Sequence, residues 1–133
     1  MKLMLIDNND SFTYNLFHLI SSVTGHDISV VTYQKLAEED ISKFSGFIIS
    51  PGPGHPDEYD KYGKIIDSGM PVFGVCLGMQ ILNVFFGGSV TRLSGCRHGV
   101  TRQTICMDTE YQAAVYNSLY CSEVPDIFKI FAV

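Results

Sequence analysis

The fold is indicated most directly by residues 71–80, which read PVFGVCLGMQ. Residues 71–75 predict a short buried strand, and the apolar spacing over residues 77–86 predicts a helix that follows it at once. Between them lies a cysteine form of the G-x-S-x-G elbow, in which glycines let the strand turn sharply into the helix. We expect Cys76 to stand above the sheet edge, where the helix N-terminus favours the thiolate. A buried core cysteine is the alternative, although it gives no reason for the two glycines.

Strands and helices alternate on both sides of this elbow. The pattern predicts strands at 3–6, 28–32, 47–50 and 71–75, and helices over 12–23, 36–44, 59–67 and 77–86. Asp10 or Ser11 is expected to cap the first helix, and Gly25 to end it. Alternation of this kind predicts an α/β fold, with a doubly wound, mainly parallel central sheet and helices on both faces.

The sequence changes character after Gly88. Short β-prone pieces at 89–92, 101–107, 113–116 and 128–133 predict extra antiparallel strands. Since no repeat or linker interrupts the chain, we predict a single domain over residues 1–133. Its last residues read as a strand that stops before any turn, so this domain is expected to be incomplete at its C-terminus.

Composition limits the possible partners. Nine Lys and Arg stand against 14 Asp and Glu, a net charge of −5, and 46% of the residues are hydrophobic. Such a chain can bury a core, and its charge disfavours binding to nucleic acid or to an anionic membrane surface. The N-terminus lacks the apolar core of a secretion signal, so we expect a cytoplasmic protein whose four cysteines are reduced.

A second candidate site follows the third predicted strand. Residues 50–54 read SPGPG and are expected at the same carboxyl edge of the sheet as Cys76. The backbone N–H groups of Gly52 and Gly54, together with that of Leu77, can stabilise negative charge on an oxygen, as an oxyanion hole does. An ordinary Pro/Gly turn is the alternative interpretation of this string.

Five segments in one order resemble a known family. Residues 5–15 (LIDNNDSFTYN), 48–54 (IISPGPG), 74–80 (GVCLGMQ), 86–88 (FGG) and 98–99 (HG) are similar to segments of the class I, triad-type glutamine amidotransferases. The opening segment is most similar to the small subunit of anthranilate synthase or of aminodeoxychorismate synthase. The resemblance spans nearly the whole chain and implies a flavodoxin-like fold.

The resemblance also implies a reaction and its residues. The Cys76 thiolate would attack the side-chain amide of L-glutamine to form a γ-glutamyl thioester, and ammonia would pass to a chorismate-using synthase subunit. The residues that it implies for the oxyanion and glutamine site are Gly52, Pro53, Gly54 and Leu77, with Gln80 in contact with the substrate and Ser118 and Leu119 on the backbone groups of glutamine. The resemblance implies no cofactor and no metal.

The chain departs from the family where a general base is needed. Family members carry a His-Pro-Glu motif near the C-terminus, and these 133 residues end before it. The string HPDE at 55–58 follows the third strand and belongs to a different part of the fold. Asn117 and Val100 replace the usual His and Lys. We therefore expect reduced or absent turnover, with His55 as a substitute base left open.

Other interpretations explain less of the sequence. Asp7 and Asp10 suggest a phosphatase or phospho-receiver, but they stand three apart where the phosphatase pattern needs two. Cys96, His98 and Cys106 lack the paired spacing of a zinc site, and no G-x-G-x-x-G predicts a dinucleotide site. A catalytically silent binding subunit and a stand-alone cysteine hydrolase remain as alternatives.

Overall fold

A parallel four-stranded sheet forms the centre of the computed structural model, which describes residues 1–95 and 99–132. The strands are β1 (Lys2–Asp7), β2 (Asp27–Thr32), β3 (Gly46–Ile49) and β4 (Val72–Gly74), in the order β2-β1-β3-β4. In the central register, Leu5 of β1 pairs with Val30 of β2 and with Ile48 of β3. The predicted parallel α/β sheet is confirmed.

The burial of the strands follows from their position in the sheet. All residues of β3 are buried, as are Met4, Leu5 and Ile6 of β1, which is why both strands read as continuous apolar runs. Strand β4 lies at an edge and, within the part of the chain that the structure describes, pairs only with β3. Phe73 of β4 is 62% exposed and borders an apolar cavity of about 270 Å³.

Three α-helices accompany the sheet: α1 (Thr13–Thr24), α2 (Gly63–Ile66) and α3 (Leu77–Phe85). The chain runs outward from β1 to β2 and then back past β1 to β3 and β4. Because crossovers between parallel strands are right-handed, connections that run in opposite directions lie on opposite faces. Helix α1 therefore covers one face and α2 and α3 the other, where the main core joins Met4, Ile6 and Ile49 to Tyr62, Ile65, Leu77 and Ile81.

One predicted helix is wrong, and a second is shorter than predicted. Residues 36–44 form parts of two 3-10 turns, Tyr33–Glu38 and Ile41–Lys43, because the Asp40 carboxylate accepts hydrogen bonds from the Ser42 N–H and hydroxyl (3.2 and 2.7 Å) and closes a local turn. Residues 59–67 form the 3-10 turn Asp60–Tyr62 and the single turn of α2. A further 3-10 turn, Pro56–Glu58, packs against α3.

The ends of α1 are only partly as predicted. Gly25 ends the helix with a φ of 64°, and its N–H donates to the carbonyl oxygen of Ser21 (2.9 Å). At the start, neither Asp10 nor Ser11 is the capping residue. Phe12 occupies that position without a side-chain cap, while the Asp10 carboxylate accepts the N–H of Phe12 at 2.8 Å. None of the helices in the described ranges is both long and apolar enough to cross a bilayer.

The second half of the chain adds antiparallel pairs. Strand β5 (Ser89–Arg92) pairs with β8 (Leu119–Glu123), and β6 (Val100–Cys106) forms a hairpin with β7 (Thr109–Val115). The extra antiparallel strands are confirmed, although β8 was not predicted. The strand predicted at 128–133 is wrong for its described residues: the segment reaches the hairpin only at its tip, where Ala132 forms a single bridge with Cys106.

Candidate active site

The predicted turn between strand and helix is present and has very little space. Cys76 has φ 53° and ψ −107°, a conformation that is rare for a residue with a side chain. A Cβ on Gly74 would lie 2.4 Å from the carbonyl carbon of Gly78, and a Cβ on Gly78 would lie 2.3 Å from the carbonyl oxygen of Ile49. Only glycine fits at either position. The backbone packing on both sides of Cys76 therefore fixes the position of its Cα and Cβ atoms.

The thiol of Cys76 reaches the surface but is not poised as a thiolate. Partial burial raises its pKa above the ordinary value, the N–H of Leu77 lowers it, and the carboxylate of Asp10 raises it again. The net shift is upward, with burial as its largest cause. Near neutral pH the group is therefore mainly a thiol, and its reactivity depends on removal of the proton.

Three loops meet at Gly52. A Cβ there would lie 2.6 Å from Cβ of Asn8 and 2.8 Å from Cδ2 of Leu77. Asn8 follows β1, Gly52 follows β3, and Leu77 begins α3, which follows β4. The connections that leave these three strands therefore touch at the carboxyl edge of the sheet. Crevices at this edge are where open α/β sheets bind their ligands.

A buried hydrogen-bond network lies beside the point where these loops meet. The backbone N–H and side-chain NH₂ of Asn8 donate to the hydroxyl and the carbonyl oxygen of Ser50, both at 3.0 Å. The hydroxyl of Tyr62 donates to Oδ1 of Asn8 at 2.5 Å. All three residues are at most 2% exposed. Sequence reasoning assigned no role to this network, because Asn8 and Tyr62 are far apart in the chain.

The same network fixes the peptide between Pro51 and Gly52 in the loop of residues 50–54, which we call the glycine loop. The Ser50 hydroxyl donates to the carbonyl oxygen of Pro51 at 2.6 Å. The peptide is trans, so the N–H of Gly52 points in the direction opposite to that carbonyl. Within the described residues no protein group accepts the N–H of either Gly52 or Gly54. Two loop amides thus remain available to a ligand.

Gln80, Ser118 and Leu119 lie together one helical turn from Cys76. The Gln80 side chain is 4% exposed, and its NH₂ donates to the carbonyl oxygen of Leu119 at 3.1 Å. The Asn117 NH₂ donates to the same oxygen at 2.9 Å, and the carbonyl oxygen of Ser118 accepts the N–H of Leu93 at 2.9 Å. The structure therefore joins the start of β8 to the helix that begins at Cys76.

His55 belongs to the turn that leaves the glycine loop. Its Nδ1 lies 3.1 Å from the Asp57 carboxylate and 3.4 Å from the Asp57 nitrogen, and its N–H donates to the Glu58 carboxylate at 2.7 Å. Among the described residues no histidine contributes to the pKa shift of Cys76. The turn thus gives the HPDE string a local structural role.

The other candidate groups hold structure or lie outside the described residues. The Asp7 carboxylate accepts the Asp10 N–H at 3.1 Å and the Thr13 hydroxyl at 2.7 Å, which stabilises the start of α1. Of the zinc candidates, Cys106 is on β6, whereas Cys96 and His98 lie outside the described residues. The histidine of the HG segment at 98–99 lies there too.

Comparisons with known proteins agree on one family. Residues 4–133 match the family model described as glutamine amidotransferase class-I. The chain is 34% identical over 151 residues to anthranilate synthase component 2 of Halobacterium salinarum, across 99% of this chain and 76% of that protein. It is 39% identical over 107 residues to aminodeoxychorismate synthase of Streptomyces griseus, across 76% of this chain and 15% of that protein.

The fold is also shared with a solved structure. A glutamine amidotransferase from Thermotoga maritima superposes with a TM-score of 0.73 at 13% identity, across 93% of this chain and 63% of that one. At this identity the likeness concerns the fold alone.

Proposed function

The chain belongs to the class I glutamine amidotransferase family, and from this premise we propose that it binds L-glutamine and that Cys76 attacks the side-chain amide. The observation that carries the proposal is the meeting of the Cys76 turn with the glycine loop: Leu77, the residue after Cys76, packs its side chain against Gly52. A nucleophile and several backbone donors are thereby gathered at one edge of the sheet.

The proposed reaction has two steps. The thiolate adds to the amide carbon, the negative charge moves to the amide oxygen, and the N–H groups of Leu77, Gly52 and Gly54 stabilise it. The C–N bond then breaks, ammonia leaves with the addition of a proton, and a γ-glutamyl thioester remains. Water hydrolyses the thioester to glutamate and restores the thiol. Gln80, Ser118 and Leu119 are proposed to hold the amino-acid end of the substrate.

Proton transfer limits this reaction in the residues described. The raised pKa of Cys76 requires a base to form the thiolate, and an acid must protonate the departing ammonia. None of the described histidines contributes to that pKa shift. We therefore propose that these 133 residues bind glutamine and react once with an electrophile more readily than they turn over.

The proposed destination of ammonia is a chorismate-using synthase. This proposal rests on the names of relatives at 34 and 39% identity, anthranilate synthase component 2 and aminodeoxychorismate synthase. Ammonia would be consumed by a partner that aminates chorismate. The test is amination of chorismate by such a synthase with glutamine as the nitrogen source, which the chain should support only slowly and the Cys76→Ala variant not at all.

Covalent labelling tests the site itself. The diazoketone analogue of L-glutamine should add to Cys76, as measured by intact mass and peptide mapping, and excess L-glutamine should slow the reaction. Cys76→Ala should abolish the adduct, while Cys121→Ser, which removes a half-buried thiol on β8, should leave it unchanged. A folded sample that gives no adduct would overturn the proposal.

A second candidate function is a silent glutamine-binding subunit. The observation that favours it is the raised pKa of Cys76, to which none of the described histidines contributes. In that case L-glutamine would protect Cys76 from iodoacetamide, yet no ammonia would form. Sustained ammonia release from the chain alone would exclude this alternative.

A further inference from the structure

The glycine loop is held from outside by a tyrosine. The hydroxyl of Tyr59 donates to the carbonyl oxygen of Pro53 at 2.8 Å, six residues earlier in the chain. The carbonyl of Pro53 belongs to the peptide between Pro53 and Gly54, so this hydrogen bond acts on that peptide. The first peptide is held in the same manner by the Ser50 hydroxyl on the carbonyl of Pro51.

Holding a carbonyl fixes the neighbouring N–H as well. In a trans peptide the C=O and the following N–H point in opposite directions, and the described residues contain no cis peptide. The bond from Tyr59 therefore turns the N–H of Gly54 away from the tyrosine. Gly54 has a φ of 80°. Because glycine adopts positive and negative φ about equally well, the backbone of Gly54 does not by itself fix the direction of its N–H, and a hydrogen bond from outside the loop is needed to do so.

We propose that Tyr59 is a positioning residue for the oxyanion site, and that its hydroxyl aligns the Gly54 N–H toward the oxygen of a bound glutamine side chain. This inference rests on the proposed function, because it gives the loop amides the same substrate. Tyr59 does not touch the substrate in this scheme. It acts only through the Pro53–Gly54 peptide.

The tyrosine ring is itself held by an aromatic cluster. Tyr33 contacts Tyr59 edge to face at a centroid distance of 4.9 Å and stacks on Tyr62 at 5.4 Å. Tyr62 is anchored in turn by its hydrogen bond to Asn8. The Tyr59 ring is thus held through Tyr33 and Tyr62 by contacts that extend to Asn8, which follows β1. A hydroxyl on a ring held in this way is suited to keep a loop amide in one direction.

The hydroxyl also remains a donor under working conditions. Burial of the ring raises the pKa of Tyr59, and the negative charge of Glu58 raises it further. The phenol is therefore protonated throughout the neutral range. Its hydrogen bond to Pro53 does not depend on pH where glutamine hydrolysis would be measured.

The test compares Tyr59→Phe with Tyr33→Phe. Both changes remove one hydroxyl from the same cluster and keep the ring, but the Tyr33 hydroxyl bonds to Asp60 at 3.0 Å and not to the glycine loop. The measured quantities are kinact and KI for the diazoketone analogue of glutamine, and the rate of alkylation of Cys76 by iodoacetamide.

We expect Tyr59→Phe to lower kinact about tenfold, which is less than the roughly 100-fold loss when an oxyanion donor is removed outright, because the Gly54 N–H itself is still present. KI and the iodoacetamide rate should stay near their original values, because neither substrate binding nor the thiol is altered. Tyr33→Phe should change none of the three. A Tyr59→Phe variant with unchanged kinact, or one with an equal loss in the iodoacetamide rate, would overturn the positioning role.

Failure of this inference is separable from failure of the proposed function. If the unmodified chain is not labelled by the glutamine analogue, the proposed function fails, and the inference fails with it. If the unmodified chain is labelled at Cys76 and both phenylalanine variants react equally fast, the proposed function stands and only the role of Tyr59 is rejected. Thermal or urea unfolding of both variants checks that the cluster remains folded.

Discussion

Gly78 lies directly over the carbonyl oxygen of Ile49, so closely that a Cβ on Gly78 would come within 2.3 Å of it. The atom in the way belongs to β3, a strand buried on both faces, and it cannot move without displacing the sheet. This contact seats the first turn of α3 against the strand that leads into the glycine loop. The backbone contact therefore keeps the Cys76 turn close to the end of the strand from which the glycine loop departs.

Substitution of Gly78 should be severe. Gly78→Ala is expected to lower the free energy of unfolding by about 3 kcal/mol, because the added methyl group overpacks a rigid site. Gly63→Ala is the matched control: Gly63 is also helical, but a Cβ there would meet its nearest atom at 3.9 Å. That control should be neutral or stabilising by up to about 1 kcal/mol. Equal urea midpoints for the two variants would contradict this account.

Strain at Cys76 gives a second prediction. A residue with a side chain at φ 53° and ψ −107° is held in an unfavourable region, whereas glycine adopts it freely. Cys76→Gly should therefore be more stable than Cys76→Ala by about 1 kcal/mol or more. Both variants lack the thiol, so their difference in urea unfolding isolates the backbone effect. A more stable alanine variant would show that the turn is not strained.

The charge on Asp10 should slow the reaction of Cys76. Its carboxylate raises the pKa of the thiol by disfavouring the nearby thiolate. Asp10→Asn removes the charge and keeps an oxygen that can accept the Phe12 N–H, so more thiolate should be present near neutral pH. Alkylation by iodoacetamide should become about twofold faster at low salt and less so at high salt. Asp57→Asn should leave the rate unchanged; a similar increase there would point to net charge instead.

Tyr62 should make stability depend on alkaline pH. Burial raises the pKa of its hydroxyl above the value in the unfolded chain, so the contribution is fully present below about pH 10 and falls as the pH rises above it. Tyr62→Phe should lose about 1–3 kcal/mol at neutral pH, because Oδ1 of Asn8 is left buried without its donor. In urea unfolding, the stability of this variant should also fall less steeply with pH above about 10. The decline that remains should come from Tyr33 and Tyr59, whose pKa values are raised as well. An unchanged slope would refute the assignment.

The amide of Gln80 should matter for substrate affinity more than for chemistry. Gln80→Glu replaces the NH₂ that binds the Leu119 carbonyl with a second oxygen, which should loosen the segment that contains Ser118. KI for the glutamine analogue should rise about tenfold, equivalent to one lost hydrogen bond to the backbone. Gln112→Glu, an exposed change on β7, is the control. A pure loss of kinact would place Gln80 in the chemical step instead.

The sequence predicted those parts of the site that depend on neighbours in the chain. The turn at Cys76 and the alternation of strands with helices along the chain follow from glycines and apolar runs a few residues apart. The supports of the glycine loop do not, since Asn8 meets Ser50 and Tyr62 across 42 and 54 residues. Only the folded sheet brings these residues together, and no spacing in the sequence signals it.

Two predicted elements, the helix over 36–44 and the strand at 128–133, are wrong for reasons that apolar spacing alone does not show. The helix predicted over 36–44 fails because Asp40 prefers hydrogen bonds to Ser42 over a continued helix, a competition that apolar spacing does not register. The strand predicted at 128–133 has the right composition, yet a strand also needs a partner along its length. Within the described residues, only Cys106 offers a bridge to it.

The open side of β4 has a consequence for how this molecule behaves when warmed. Among the described residues β4 has a strand partner on one side only, and the open edge beside Phe73 is a template onto which extended segments of other molecules can add. Partial melting at high concentration would then lead to precipitates instead of a reversible transition, and the apparent melting temperature would drift with protein concentration and scan rate.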